Sequence, residues 1–97
     1  MIRALGLTPG PAVALTEVSN DLHGLRACIG GNITTIGLRD GAVMIANADA
    51  ENRGLKHNPI ASLIARRQIY GPVLLVGADG DDFDDVPDEY LVWLGIE

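Results

Sequence analysis

Ile33-Thr34-Thr35-Ile36-Gly37-Leu38, Arg39-Asp40-Gly41 and Ala42-Val43-Met44-Ile45-Ala46 decide the fold class of this chain. Two runs rich in β-branched and apolar residues flank an Asp-Gly pair. That pair suits a type I′ turn, in which both central residues need positive φ. The stretch therefore predicts a β-hairpin, and the rest of the chain supplies what covers it.

Downstream, Pro72-Val73-Leu74-Leu75-Val76 is apolar without alternation. At this length such a run fits a central strand covered on both faces, with the proline confined to its start. Upstream, residues 2–7 and 12–18 read as two short strands around the turn Thr8-Pro9-Gly10-Pro11. Ser19 or Asn20 can cap a first helix running to about Ile29, with Leu22, Leu25 and Ile29 on its apolar face and Gly30-Gly31 at its end. Asn58-Pro59 starts a second helix, in which Ile60, Leu63 and Ile64 form the expected buried stripe and Arg66-Arg67 suit the negative end of the dipole. Pro87 opens a short last helix with Leu91 and Leu94 on one face. The expected fold is α+β: a single domain over residues 1–97, with a small, mostly antiparallel sheet of four to five strands, two main helices and a short C-terminal helix.

The 97 residues are 47% apolar and 21% charged, ordinary globular usage far from the composition of disorder. One cysteine, Cys28, cannot form an internal bridge, and no apolar run approaches the roughly 20 residues of a membrane span. A soluble, cytoplasmic protein is the expectation. The net charge of −6 is unevenly placed. Seven basic residues precede position 71 against five acidic ones, giving +2, whereas residues 71–97 hold eight acids and no base, giving −8. An acidic segment of that kind opposes phosphate binding, so a sequence-reading DNA binder is not expected.

No catalytic, cofactor or metal constellation is visible. Two histidines, His23 and His57, and one cysteine cannot supply a zinc site alone, and Cys28 beside Ile29 reads as a buried apolar thiol. The glycines form neither a phosphate loop nor a dinucleotide fingerprint. Asp79-Gly80-Asp81-Asp82-Phe83-Asp84-Asp85 lacks the ligand order of a calcium loop and reads as a solvated acidic loop. Its second reading, with Asp81, Asp82, Asp84 and Asp85 as one charged surface, is contact with a basic partner. Tyr90 and Trp93 on the last helix either complete the core or anchor a partner, including a second copy in a homodimer. Arg53, Lys56, His57 and Asn58, in a long aperiodic segment, either lie in a solvated loop or hold a small phosphate-bearing ligand at the start of the second helix.

The order Leu25…Ile29-Gly30-Gly31-Asn32-Ile33, an apolar strand ending at Asn47, Gly54-Leu55…Asn58-Pro59-Ile60-Ala61 and Gly71-Pro72-Val73-Leu74-Leu75-Val76-Gly77 resembles domain of unknown function 3846. These are small proteins of actinobacterial phages and bacterial mobile elements, sometimes encoded near antirestriction genes. The family motif usually reads Val-Gly-Gly-Tyr-Ile-Glu, and a Glu commonly follows the asparagine after the hairpin. Here Asn32, Thr34 and Ala48 stand at those three polar positions, so a site built on them is altered or lost in this chain. The resemblance implies an accessory protein without a transferable activity. The expectation is a non-enzymatic protein that binds a host protein through its acidic C-terminal segment and last helix. The alternative is an oligomeric binder of a nucleotide-like molecule.

Overall fold

A computed structural model describes residues 1–10, 12–80 and 82–96. In chain order the elements are β1 (Ile2–Thr8), β2 (Ala12–Val18), α1 (Leu22–Ile29), β3 (Ile33–Gly37), β4 (Ala42–Asn47), α2 (Pro59–Ala65), β5 (Val73–Asp79), β6 (Asp82–Asp84) and α3 (Asp88–Trp93). The strands form one antiparallel sheet in the order β2-β1-β5-β4-β3, with β6 also paired to β5. The fold is α+β, with six strands among the described residues rather than four to five.

The additional strand comes from the segment read as a solvated acidic loop. β5 turns back on itself, pairing Gly77 with Asp84, Ala78 with Phe83 and Asp79 with Asp82. Main-chain pairing needs no apolar side chains, and only Phe83 of these three residues packs against the core. Aspartate-rich sequence hides such a strand because β propensity measures side-chain packing more than backbone preference.

β5 is the central strand, paired with β1, β4 and β6, and Pro72 stands just before it. Its alternate residues serve two cores. Val73 and Leu75 join Leu5, Leu7, Met44 and Ala46 beneath Ala61 of α2 and Tyr90 and Leu91 of α3. Leu74 and Val76 join Ile2, Ala4, Val18 and Ile45 against Leu25 and Ile29 of α1. A strand covered on both faces has no polar side to show, which accounts for its unbroken apolar run. The hairpin β3–β4 forms as its sequence requires: Asp40 and Gly41 have φ of 60° and 74°.

Two helix details differ from the sequence reading. Asp21, not Ser19 or Asn20, caps α1 by accepting from the Gly24 N–H, and Leu22 is exposed. In α2, Ala61 takes the fully buried position, Ile60 and Ile64 pack at its edge, and Leu63 faces out with 75% exposure. The β1–β2 turn includes Pro11, which lies outside the described residues, and Thr8 pairs with Ala12 across it. Cys28 is exposed, not buried, because the inward face of α1 is taken by Leu25 and Ile29.

Candidate functional site

A concavity lies where α2, α3 and the β3–β4 turn meet, a groove of about 620 Å³. Leu38, Ile64 and Tyr90 lie along it, with Leu63 and Trp93 at its sides and Arg39, Arg66, Asp40 and Glu89 around its rim. α2 is short: Asn58 caps its start, and Arg66 ends it in the left-handed region with φ 57°. Burying the small Ala61 lets the helix sit close to the sheet and leaves its Leu63 side to solvent. α3 buries Leu91 and Tyr90, which leaves Val92 and Trp93 each 62% exposed.

Tyr90 ties the groove together. Its hydroxyl donates to the Arg39 carbonyl at 3.1 Å, and its ring meets Trp93 edge to face with centroids 6.1 Å apart. Burial pushes the Tyr90 phenol above its ordinary pKa, and the Asp40 and Glu89 carboxylates add to this while Arg39 opposes it. The phenol therefore stays protonated and keeps donating at neutral pH. The guanidinium groups of Arg39 and Arg66 have no hydrogen bond or ion pair among the described residues, so both can meet an incoming acceptor.

The residues singled out from the sequence fall in different places. Trp93 is at the groove, while Tyr90 forms its floor and is 6% exposed. The aspartates act as main-chain clips as well as surface charge. Asp82 accepts from the Asn20 amide and the Phe83 N–H, Asp84 from the Asp85 N–H, and Asp85 from the Arg3 N–H at 2.8 Å. Asp81 lies outside the described residues.

Arg53, Lys56, His57 and Asn58 do not converge. Arg53 donates to the Gly30 carbonyl at the end of α1, and Lys56 is exposed. His57 meets the Ser62 hydroxyl at 3.0 Å and the edge of Tyr70. Asn58 is fully buried: its amide donates to the Leu7 and Gly71 carbonyls, and its oxygen accepts from the Ala61 N–H.

A smaller, more polar recess of about 310 Å³ lies beside β3, with Thr34, Asn52, Arg67, Gln68 and Tyr70 among its walls. Thr34 and Ala48, which stand where the resembled family commonly has glutamate, both line it. Among the described residues no group of three or more His, Cys, Asp or Glu could hold a metal ion. No helix there is long and apolar enough to cross a membrane.

Sequence reasoning missed Leu63, Arg39 and Arg66 as groove residues. Leu63 carries the same apolar signal as its buried neighbours, and the two arginines read as turn and dipole residues. Only the packing of three distant segments brings them together.

Comparison with curated proteins finds no match, and neither does comparison with solved structures. The family model described as Domain of unknown function (DUF3846) matches residues 2–94, nearly the whole domain, and the chain belongs to that family.

Proposed function

We propose that this chain is a phage or mobile-element accessory protein that acts without catalysis, by binding a host protein in the groove between α2 and α3. One observation carries the reading: Leu63 and Trp93, at 75% and 62% exposure, are offered to solvent beside the Tyr90 floor. Burying a large aromatic or aliphatic side chain on association is worth about 1.5–3 kcal/mol, and exposed aromatic anchors beside arginine are the usual centre of a binding surface. The acidic segment after β5 adds a field that steers a basic partner toward this end of the domain.

The test is affinity capture from the natural host, followed by titration of the purified captured protein. The pair Leu63→Ser and Trp93→Ala should abolish capture while the circular dichroism of the domain is unchanged. Equal affinity of the variant and the wild type for the captured protein would reject the groove.

A second reading rests on Arg39 and Arg66, unpaired among the described residues and beside Trp93. An aromatic anion of nucleotide type would stack on the indole and place its phosphate between the guanidiniums, and the groove volume falls in the ~300–1,000 Å³ range of small-ligand sites. A thermal-shift screen separates the two: a nucleotide at about 100 times its Kd adds roughly 2.7 kcal/mol to stability, and a pure protein binder does not respond.

A further inference from the structure

The outer edge of the sheet, β2, is built unlike a guarded edge. Exposed edge strands are normally blunted by shortness, lysine, proline, a bulge or a covering element. β2 pairs with β1 in an unbroken register from Ile2↔Val18 to Thr8↔Ala12, seven pairs without a bulge. Its residues Ala12-Val13-Ala14-Leu15-Thr16-Glu17-Val18 contain one charge, no basic residue and no proline. Among the described residues no element pairs with its other side. Ala12 and residues 14–17 are exposed, Leu15 among them at 37%. The opposite edge, β3, is shorter at five residues, and the polar recess with Arg67 and Gln68 lies beside it.

The side-chain order of β2 identifies its partner. When two copies run antiparallel about a two-fold axis, one register pairs all seven residues, and it is centred on Leu15. Leu15 then meets the Leu15 of the other copy, Ala14 meets Thr16, Ala12 meets Val18, and Glu17 meets Val13. No like charges stand opposite each other in it. The two Glu17 carboxylates sit four residues apart along neighbouring strands, roughly 13 Å at strand rise, beyond the Debye length of about 8 Å at physiological salt. Leu15 pairs with Leu5 of β1, and Val13, which pairs with Leu7, already packs against the core under α2 and α3. The Leu15 pair therefore extends an apolar layer that each copy already has. Other registers lose pairs, and the one centred on Glu17 opposes two carboxylates.

We propose that two copies of this chain join through β2, antiparallel and centred on Leu15, making one continuous sheet with both α2–α3 grooves on the same face. Equilibrium sedimentation of the full chain at high micromolar concentration should give twice the 10.2 kDa chain mass. Ala14→Lys with Thr16→Lys, at two exposed positions, should return the monomer. Leu63→Ser with Trp93→Ala should remain dimeric, which separates this surface from the groove of the proposed function.

The register has its own assay in a Cys28→Ser background. Facing residues in antiparallel strands have Cα atoms about 4.5–5.5 Å apart, within reach of a disulfide, so Leu15→Cys should oxidise to a covalent dimer. Residue 16 of one copy lies roughly 8 Å from residue 16 of the other, beyond the ~7 Å limit, so Thr16→Cys should not. A monomeric wild type, a dimer that ignores the lysine pair, or Thr16→Cys linking as readily as Leu15→Cys would each overturn the proposal.

Discussion

Replacing Asn58 should show how much of this small domain hangs on one buried amide. Its side chain joins three parts of the fold: the end of β1 through the Leu7 carbonyl at 3.1 Å, the approach to β5 through the Gly71 carbonyl at 3.0 Å, and the first turn of α2 through the Ala61 N–H at 3.1 Å. Asn58→Ala removes all three. Loss of the helix cap costs about 1 kcal/mol, and each carbonyl deprived of its donor adds about 1 kcal/mol. The sum is about 3 kcal/mol, or roughly 12–24 °C of Tm for a domain of this size. Urea denaturation should show it as a lower midpoint at unchanged slope.

Asn58→Asp tests the same geometry by charge. The carboxylate keeps an acceptor for Ala61 but turns an oxygen toward the Leu7 and Gly71 carbonyls, a site that favours the protonated acid. Its folded pKa should therefore lie above the unfolded value of about 3.9, and the folded state then binds more protons than the unfolded. Stability of the variant should be best below that pH and fall as pH rises through the folded value. A loss under about 1 kcal/mol for Asn58→Ala, set against the cap alone, or a pH-independent Asn58→Asp, would refute the three-way role.

The same sign governs Tyr90. With its phenol pKa raised in the folded state, stability should hold up to about pH 10 and decline above it, and Tyr90→Phe should flatten that decline in alkaline denaturation followed by phenolate absorbance. Gly77→Ala would place a Cβ 2.4 Å from the Asp85 carbonyl oxygen, so the chain leaving β6 must shift at a cost of about 1–3 kcal/mol. Accelerated hydrogen exchange at the Val86 and Arg3 amides, which clip β6 to β1, would report that shift, and unchanged exchange would argue against it. Leu63→Ser should change stability by no more than about 0.5 kcal/mol, because Leu63 is largely in solvent. Trp93 fluorescence should be red-shifted and readily quenched in the free protein, and protected once the groove is filled.

The parts of the fold legible from sequence are those in which side chains dictate backbone. Asp40-Gly41 specifies its turn through positive φ, Asn58-Pro59 its helix start, and the unbroken run from Val73 to Val76 its place between two cores. What escaped is set by tertiary packing. β6 is held by main-chain bonds that aspartates neither favour nor forbid, and Leu63 differs from Ile60 and Ile64 only in which way a seven-residue helix leans. The groove was least legible, because residues 39–40, 63–66 and 89–93 carry no shared pattern and meet only in three dimensions. Of its residues only Tyr90 and Trp93 announce themselves, through aromatic size.

The pairing of Leu5 with Leu75 has a bearing on how the protein is made. β1 and β2 can close as a hairpin within about 1–10 μs. Among the described residues the inner side of β1 is paired by β5, seventy positions later, and by the Arg3 contacts with Asp85 and Val86. At about 5–20 residues per second, Leu5 and Leu7 wait some 4 to 14 s on the ribosome with both their open edge and their apolar face uncovered. The β1–β2 hairpin thus keeps an unpaired inner edge while α1, the β3–β4 hairpin and α2 are made, and the sheet becomes continuous only once β5 joins its two halves.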